Sequence, residues 1–421
     1  MLKASALYIV IIIALVIGVL CSSLIVAAYF YKTQYQKKFR YDQLENNLSS
    51  GVNILLANAD STNNNEKTFS LFGNEADSVS LKQISWGVYD IGIVRAFIQK
   101  DTLYKTFSMA NAIDSTKWGA LYLIDEDRPF SVSGKTTIRG DAFIPKAGVQ
   151  QAYVDNKAYT GDSRLIIGTR HVSEKTLPKL DEKRITQLEK YFYLDTKTDS
   201  ILPKTDSLRE SFLNATRIFN FKKKAQTIQG ITIDGNVILL SDTTFTISST
   251  TVLKNVLVFA KSIVVESGFR GNCQLFAADS IRVESDCHFE YPSCLGVLRS
   301  ANSNAGIQSK ISIGEKSDFN GTIFTYEKTA SALKMLISIE SKVKITGQVY
   351  AQGILELKDN TDIDGSTFAS RFLYKTTFTR FENYLINTTL DEKALSPFYL
   401  TSDLLPVASK KKRILQWLEA N

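Results

Sequence analysis

Acidic and basic residues cluster around the string KDNTDIDG at 358–365, and side chains of these types can catalyse the cleavage of a sugar chain. The candidate group consists of Asp359, Asp362, Asp364, Lys342 and Lys344. Paired carboxylates can protonate a leaving oxygen and assist attack on the sugar ring during glycoside hydrolysis. Asp and Asn are also the residues that turns prefer, so the same string is typical of a loop corner. The turn interpretation is favoured, and the chain is predicted not to be an enzyme.

Few residues in the sequence suit metal binding or nucleophilic catalysis. The two histidines are His171 and His288, no cysteine pair has zinc-site spacing, and no nucleophile elbow or phosphate loop occurs. Cys287 directly precedes His288, but neighbours in a strand face opposite sides, so a thiolate–imidazole pair is not expected. No metal and no cofactor is predicted.

The four cysteines do not form a disulfide framework. Cys21 lies in an apolar segment, so at most one disulfide can form among Cys273, Cys287 and Cys294. The simpler interpretation is that these three are small buried residues of a sheet. The sequence leaves that one disulfide open.

The composition is that of an ordinary globular chain with room for two or three domains. Its 421 residues are 44% hydrophobic and 22% charged, and 50 basic against 43 acidic residues give a net charge of +7. The charges are spread along the chain and form no basic stripe, which argues against a nucleic-acid partner.

A fourteen-residue phrase occurs four times and indicates short β-strands. The copies are FSVSGKTTIRGDAF at 130–143, ISIGEKSDFNGTIF at 311–324, ISIESKVKITGQVY at 337–350 and LELKDNTDIDGSTF at 355–368. Apolar residues stand at places 1, 3 and 9 of every copy, and alternation over two residues is the period of a strand with one buried face. The eleventh place is always glycine, at Gly140, Gly321, Gly347 and Gly365.

Looser copies give the phrase a period of 18 residues. The opening apolar pairs of these copies are Phe245/Ile247, Ile263/Val265 and Ile281/Val283, and later steps of 30 and 26 residues fit the same unit with loop insertions such as SANSNAGIQ at 300–308. The period predicts a parallel β-helix, in which stacked coils bury the same positions and the glycines turn the corners at positive φ. A sandwich or propeller is the alternative, but their strands seldom repeat at this interval.

An uncharged apolar segment runs from Ala4 to Tyr31, and it exceeds the roughly 20 residues that cross a bilayer. The aromatic residues at 29–31 suit a membrane interface better than a secretory cleavage site. Apolar residues then continue at helical spacing, at Tyr41, Leu44, Leu48, Val52 and Leu55. A single transmembrane helix is therefore predicted for residues 1–57.

The predicted fold is mainly β, with this helix, a small antiparallel sheet and a helical insertion. After a polar linker near NADSTNNNEK, residues 58–125 form the small β-sheet region, with three strands between 78 and 109. The first β-helical coils occupy 126–171, the insertion 172–226, the main β-helix 227–370 and a C-terminal cap 371–421. Two amphipathic stretches in the insertion, SEKTLPKLDEKRITQLEKYF and DSLRESFLNATRIF, predict helices, and SKKKRILQWLEA predicts a short basic helix in the cap.

The amino-terminal 57 residues resemble the first helix of type IV pilin-like proteins, especially minor pilins and the large minor pseudopilin of type II secretion. The shared features are a very short basic leader, a small residue before Ser5, an uninterrupted apolar helix and an amphipathic continuation. The resemblance implies leader cleavage after Ala4, where the family normally has glycine, and a body on the periplasmic side of a bacterial inner membrane. Most pilins carry glutamate where this chain has Ile9, and an apolar residue there resembles the minor subunit at the pilus tip.

The steps Ile138–Gly140, Ile345–Gly347 and Ile363–Gly365 are similar to those of bactofilin-type, polymer-forming β-helices. Lys3 before the apolar segment is outnumbered by Lys32, Lys37, Lys38 and Arg40 after it, which by the positive-inside rule would place the body in the cytoplasm. A membrane-tethered cytoplasmic scaffold is thus one alternative, and a polysaccharide-active β-helix enzyme is the second.

The function predicted first is that of a structural protein, a minor pilin or pseudopilin-like component of a type IV pilus or a type II secretion-like machine. Its partners would be the lipid bilayer and other pilin-like subunits or secretion-machine components. The residues predicted for membrane insertion and assembly are Ser5, Leu7, Ile9, Leu15, Gly18, Leu20 and Leu24.

Overall fold

The computed structural model describes residues 3–57, 66–71, 73, 77–194, 202–203, 205–299 and 306–420. Residues 58–65 of the predicted linker, residues 300–305 of the predicted loop insertion, and the side chains of Ala4 and Ser5 lie outside this description. By its internal contacts the chain divides into two compact units. The first comprises Met1–Gln83, Gly92–Phe107 and Trp417–Asn421, and the second comprises Ile84–Ile91 and Ser108–Gln416.

Strands dominate the described part of the chain. Its helices are α1 (Lys3–Ala57), α2 (Glu182–Phe192) and a short 3-10 helix (Glu392–Ala394). The strands up to α2 are β1 (Lys67–Phe69), β2 (Asp77–Trp86), β3 (Tyr89–Ile98), β4 (Asp101–Ile113), β5 (Leu121–Leu123), β6 (Phe130–Ser133), β7 (Thr137–Arg139), β8 (Ala142–Ile144), β9 (Val149–Gln151) and β10 (Arg170–Val172). Those that follow are β11 (Ser207–Glu210), β12 (Arg217–Asn220), β13 (Gln226–Ile228), β14 (Thr232–Gly235), β15 (Val237–Ile247), β16 (Val252–Val265), β17 (Arg270–Val283), β18 (His288–Arg299), β19 (Lys310–Ile313), β20 (Asp318–Glu327), β21 (Leu336–Ile339), β22 (Lys344–Leu357), β23 (Thr361–Lys375), β24 (Arg380–Glu382), β25 (Tyr384–Ile386), β26 (Thr388–Asp391), β27 (Leu400–Thr401) and β28 (Ala408–Ala420).

The long amino-terminal helix and the small antiparallel sheet are both confirmed. Helix α1 runs unbroken from Lys3 to Ala57. The sheet has the order β1–β2–β3–β4–β27, with β28 also paired to β4. Strand β1 is antiparallel to β2, and β27 is antiparallel to β4. Two-residue turns join β2 to β3 and β3 to β4, which is the shortest connection for antiparallel neighbours.

The short basic helix predicted in the C-terminal cap is wrong, because residues 408–420 form strand β28. In the second unit the amide of Asn111 donates to the carbonyl of Ser409, and the ammonium of Lys412 lies 3.4 Å from the carboxylate of Asp90. Strand β28 pairs with the neighbouring strand β4, which provides partners for its backbone hydrogen bonds. Such tertiary pairing overrides a weak helical pattern.

Most of the remaining strands form a closed, mainly parallel array within the second unit. The units of the repeat pair in register, so that Gly321 lies opposite Gly347 and Gly347 lies opposite Gly365. The mainly β class predicted from the sequence is thereby confirmed, and the β-helix stays a prediction. Alongside the array, strands β25, β6 and β9 form a separate parallel sheet.

One buried column follows the ninth place of the phrase through the array. Its members are Leu208, Ile233, Leu253, Gly271, Phe289, Phe319, Ile345, Ile363, Leu390 and Ile138, and each is the register partner of the next except at Leu253 and Gly271, whose chain neighbours Lys254 and Asn272 are paired. Gly271 is the one small member, and a Cβ there would lie 2.8 Å from both the ring of Phe269 and the carbonyl oxygen of Leu253. Aliphatic and aromatic side chains stacked in this way bury apolar surface at every step, which is the main stabilising contribution.

The order of strands in the array departs from the order along the chain. The first phrase was expected to precede the main β-helix, with the insertion between them. Instead β7 pairs with β26, since Ile138 lies opposite Leu390, and β5 pairs with β23, since Leu121 lies opposite Thr367. The early strands therefore extend the array beyond its latest phrase, and part of the predicted cap lies inside the array.

The predicted helical insertion is helical only in part. Helix α2 begins after Asp181, whose side chain accepts a hydrogen bond from the backbone N–H of Arg184 at 2.8 Å, as an N-cap does. The second predicted helix is wrong, because its residues form β11 and β12. Those strands pair in parallel with β14 and β15 and contribute Leu208 and Phe219 to the core.

A second column, here named the outer column, faces away from the core. It consists of Gln274, Cys294, Thr322, Gln348 and Ser366, which are register partners in that order. Its polar atoms bind other segments of the second unit. Gln274 accepts from the N–H of Val88 and donates to the carbonyl of Trp86, while Ser366 donates to the carbonyl of Gly119.

Candidate membrane and assembly segment

The first half of α1 exposes apolar side chains over its whole circumference. Every described side chain from Ala6 to Tyr31 is exposed, and none is charged. Within the described part of the chain this is the one helix long and apolar enough to cross a membrane, with a hydropathy of 3.2 in its most apolar window. A helix that is apolar all round requires lipid or other helices around it.

The predicted assembly residues belong to this exposed half. Five of them are more than half exposed: Leu7, Ile9, Leu15, Leu20 and Leu24. No atom lies within 4 Å of the place where a Cβ on Gly18 would be. Ser5 and the predicted cleavage residue Ala4 begin the same helix, and their roles stay predictions.

Two serine hydroxyls in this half are satisfied within the helix. Ser22 donates to the carbonyl of Gly18 at 2.8 Å, and Ser23 donates to the carbonyl of Leu20 at 2.8 Å. Because these bonds need no water, both serines can enter lipid with their hydroxyl donors paired.

Small residues follow one face of this half at intervals of four, at Ala14, Gly18 and Ser22. Residues four apart lie above one another on a helix, and small side chains let two helix backbones approach closely. The sequence analysis named Gly18 but not its four-residue spacing from Ala14 and Ser22, although that spacing is visible in the sequence.

The second half of α1 buries one face against the sheet within the first unit. Leu44, Leu48, Val52 and Leu55 are all buried, at 0–6% exposure, as their helical spacing predicts, whereas Tyr41 remains half exposed. Four of the five positions at helical spacing therefore form one buried face. The packed half holds the sheet, and the exposed half remains free to contact lipid or other subunits.

Two glycines permit the close approach of helix and sheet. A Cβ on Gly51 would lie 2.7 Å from Val94 and 3.0 Å from Leu81, and a Cβ on Gly92 would lie 3.2 Å from Leu55 of the helix and 2.7 Å from the ring of Phe107 in the sheet. Real side-chain contacts are longer than this, so larger residues would push α1 away from β2 and β3.

Polar contacts fix the position of the packed half along the sheet. The guanidinium of Arg40 lies 2.7 Å from the carboxylate of Asp101, and the ammonium of Lys105 lies 2.7 Å from Glu45. These pairs are partly exposed, so each contributes no more than about 1 kcal/mol. These pairs therefore fix the position of the helix and contribute little to stability.

Three of the five residues considered for sugar cleavage belong to two separate ion pairs. Asp359 binds the ammonium of Lys157 and accepts from the hydroxyl of Tyr374 at 3.1 Å. Asp364 lies 3.1 Å from Lys344. Within the described residues no group of three or more His, Cys, Asp or Glu side chains is placed to hold a metal ion.

The cysteines of the array are free and buried, as the simpler interpretation predicts. Burial raises the pKa of the Cys273 and Cys294 thiols, so neither is a thiolate near neutral pH. The sulfur of Cys287 lies 3.3 Å from the carbonyl of Glu266, while the ring of His288 lies 3.2 Å from Asp318. Cys287 and His288 thus face different partners, and they form no catalytic pair.

The recurrent glycines occupy places where a side chain does not fit. Gly321, Gly347 and Gly365 have φ values of +148°, +142° and +146°. A Cβ on Gly347 would overlap the carbonyl oxygen of Gly321, and one on Gly365 would overlap that of Gly347. Gly140 also has positive φ, and its Cβ would strike the side chain of Glu392.

A buried ion network that the sequence reasoning missed joins three distant segments of the second unit. The guanidinium of Arg184 lies 2.9 Å from Asp90 and 2.7 Å from Asp403, and Lys412 also contacts Asp90. The side chains of Arg184, Asp90 and Lys412 are only 4, 6 and 5% exposed. Although burial opposes its charge, the two carboxylates raise the pKa of Arg184 above its ordinary value. The sequence does not reveal such a network, because its members come from segments that lie far apart along the chain.

Comparison with known proteins adds little to these structural observations. No protein-family model and no curated protein matches the chain. Among solved structures it is similar to the competence-associated pilin ComZ from Thermus thermophilus, at 8% sequence identity over 86% of each chain, with a TM-score of 0.28. A similarity at that score carries no weight for the fold or function of this chain.

Proposed function

We propose that the chain is a non-enzymatic, membrane-anchored subunit of a pilin-like assembly. The observation that supports this best is the division of α1 into two halves. One continuous helix offers an apolar surface with nothing packed on it from Ala6 to Tyr31, and then buries a stripe against an antiparallel sheet. An anchor that only crossed a membrane would not need to continue as a packed helix of the folded body.

Helix packing in the membrane is the proposed means of assembly. Lipid tails are as apolar as leucine, so helices associate there through close packing and not through the hydrophobic effect. The face with Ala14, Gly18 and Ser22 suits that kind of contact. The finer assignment, to a minor pilin or a type II secretion pseudopilin, rests on the sequence resemblance of residues 1–57.

The proposed body is a parallel β-helix that presents a stiff surface to a partner. Support comes from the in-register pairing of the repeat units and from the glycines stacked at the eleventh place. Strands about 4.8 Å apart, each buried on its inner face, give such a rod little freedom to bend. The polymer-forming role of bactofilins is not carried over, since the early strands extend one end of the array.

We expect the body to lie on the periplasmic side of a bacterial inner membrane. Alkaline phosphatase, which is active only outside the cytoplasm, should be active when fused after Asn421 in the full chain, and green fluorescent protein in the same place should stay dark. The matched control lacks residues 3–31 and should give the opposite pattern. A fluorescent, phosphatase-negative fusion of the full chain would instead establish the cytoplasmic scaffold.

Replacing Gly18 by isoleucine should weaken self-association in the membrane by about 1–2 kcal/mol, because a branched side chain would hold the helix backbones apart. Cys21 provides the measurement, since it is exposed while the other three cysteines are buried. Oxidative crosslinking of isolated membranes should give less disulfide dimer for Gly18→Ile than for the unchanged chain.

The control for this experiment is Ala27→Ile. Ala27 lies nine residues after Gly18, about two and a half turns, and so on the opposite side of the helix. That variant should form as much dimer as the unchanged chain. Equal dimer formation in all three proteins would rule out the Gly18 face as the contact.

A further inference from the structure

A cleft of about 620 Å³ lies within the second unit, between helix α2, the segment at 175–180 and the outer face of the array. Its volume falls within the roughly 300–1,000 Å³ of ordinary ligand sites. None of the residues considered for sugar cleavage lines it, and no member of the buried ion network does. The cleft is therefore separate from the clusters described above.

The floor of the cleft crosses adjacent strands of the array. The buried, inward-facing positions beside it are register partners in this order: Thr325, Ala351, Ala369 and Leu123. The residue after each of these faces outwards, because successive residues of a strand face opposite sides. These outward-facing floor residues all line the cleft, and they are Tyr326, Gln352, Ser370 and Ile124. With strands about 4.8 Å apart the floor is about 14 Å long, which suits a segment of a chain better than one compact molecule.

Hydrogen bonds and ion pairs within the protein hold the walls of the cleft in place. The hydroxyl of Tyr350 donates to the carbonyl of Pro178 at 3.0 Å, which ties the segment at 175–180 to strand β22. Helix α2 is fixed by the buried ion network around Arg184. A ligand that enters a site with such walls orders few protein groups, so binding costs little conformational entropy.

The polar groups of the cleft include both donors and acceptors. The amide oxygen of Gln352 accepts from the N–H of Glu327 at 2.8 Å, and the amide nitrogen donates to the carbonyl of Glu327 at 3.0 Å. A side-chain amide has two donors and two lone pairs, so each of these atoms can make one further bond. Glu182 and Glu189 of α2 line the cleft beside Tyr326. Burial raises the pKa of the Tyr326 hydroxyl, and these two carboxylates raise it further.

The charges that line the cleft balance one another. The lysines are Lys175, Lys179 and Lys328, and the glutamates are Glu182, Glu189 and Glu327. A polyanion such as nucleic acid would meet three carboxylates, and a polycation would meet three ammonium groups. The lining therefore favours a ligand without net charge.

The pairing of the floor strands argues against an extended peptide. A peptide that joins a sheet bonds to the free backbone groups of an edge strand. The floor of the cleft is instead the face of strands that pair with one another, β20 with β22, β22 with β23, and β23 with β5. Side chains, and not free backbone groups, meet the ligand there.

We propose that this cleft binds a neutral oligosaccharide segment of a polysaccharide chain. Sugar hydroxyls donate to the carboxylates of Glu182 and Glu189 and accept from the amide of Gln352. The apolar face of one sugar ring packs on the half-buried ring of Tyr326, a side chain with an apolar body and a polar end. The inference does not depend on the assembly proposed above, because the binding site lies in the folded body and not in the exposed half of α1.

Binding of the full chain to a glycan array tests the proposal. The chain is kept in a detergent without a sugar headgroup, since such a headgroup would compete for the cleft. We expect it to bind at least one neutral oligosaccharide on an array of neutral, acidic and amino sugars. Tyr326→Ala should weaken that binding about tenfold, because the ring that packs on the sugar is lost. Binding to no glycan, or to acidic glycans alone, would overturn the proposal.

The matched control is Tyr153→Ala. Tyr153 belongs to the same unit and is 68% exposed, but it does not line the cleft. This variant should bind as well as the unchanged chain. Equal losses for the two tyrosine variants would show that the cleft is not the site.

Glu189→Gln gives a second answer should Tyr326→Ala fail to fold. The substitution keeps the size of a half-buried side chain and removes its charge, so the fold should be retained. We expect binding about threefold weaker, because a hydrogen bond to a neutral amide is weaker than one to a carboxylate. Unchanged binding would contradict the role of the cleft, and retention on an array of extended peptides but on no glycan would replace the sugar by a peptide. The crosslinking test at Gly18 is unaffected by either result.

Discussion

Replacing Arg184 by alanine is expected to lower the free energy of unfolding by about 3–5 kcal/mol, the usual cost of removing one partner from a buried ion pair. Asp90 would lose one of its cationic partners while keeping Lys412, and Asp403 would lose a partner that binds both of its oxygens. Arg184 also donates to the hydroxyl of Ser85 and the carbonyl of Tyr89, and both acceptors would lose this bond as well. Chemical denaturation of the full chain in detergent, followed by circular dichroism, measures the change.

The matched control is Arg209→Ala, in the same unit. Arg209 lies 3.2 Å from Asp234, but its side chain is 84% exposed, so its loss should cost no more than about 1 kcal/mol. Arg184→Lys should fall between the two, because one ammonium cannot reproduce the several bonds of the guanidinium. Equal losses for Arg184→Ala and Arg209→Ala would mean that the buried network contributes nothing beyond a surface pair.

Replacing Gly347 by alanine should destabilise the chain by about 3–5 kcal/mol, through backbone strain and overpacking together. The residue has φ of +142°, and its new Cβ would overlap the carbonyl oxygen of Gly321 on the adjacent strand. The overlap is with backbone, so it cannot be relieved by rotating a side chain. A lower midpoint of chemical denaturation, with unchanged helix signal from α1, is the expected observation.

Gly230→Ala separates strain from overlap. Gly230 also has positive φ, at +63°, but no atom lies within 4 Å of its Cβ position. That variant should lose only about 1–2 kcal/mol. If the two variants lost the same amount, the glycines would be needed for their dihedral angles alone, and the close stacking at the eleventh place would be unimportant.

Composition and period made part of the fold predictable. Residues 4–31 carry no charge and 41–55 keep helical spacing, so α1 followed directly. Alternation within the phrase predicted strands, and the ninth-place residues of all four copies do fall into one column. Both features depend on residues that are close together along the chain, so the sequence alone reveals them.

The features that failed depend on partners far along the chain. DSLRESFLNATRIF has helical spacing, yet Leu208 and Phe219 are buried as strand residues opposite Ile233 and Leu239. The C-terminal strand owes its form to β4 in the same way. The network around Arg184 also draws on residues more than two hundred positions apart. Local pattern cannot display such partners.

The placement of the early strands has a consequence for how the protein is made. Strand β7 pairs with β26, so Ile138 cannot pair with Leu390 until residue 390 has been synthesised. Contacts this distant in sequence give a high contact order and slow folding. A chain emerging from the ribosome or a translocation channel would carry unpaired strand edges until its last tenth arrived, and such edges invite aggregation. A chaperone acting during synthesis should therefore matter more to this protein than to one whose strands pair in the order of synthesis.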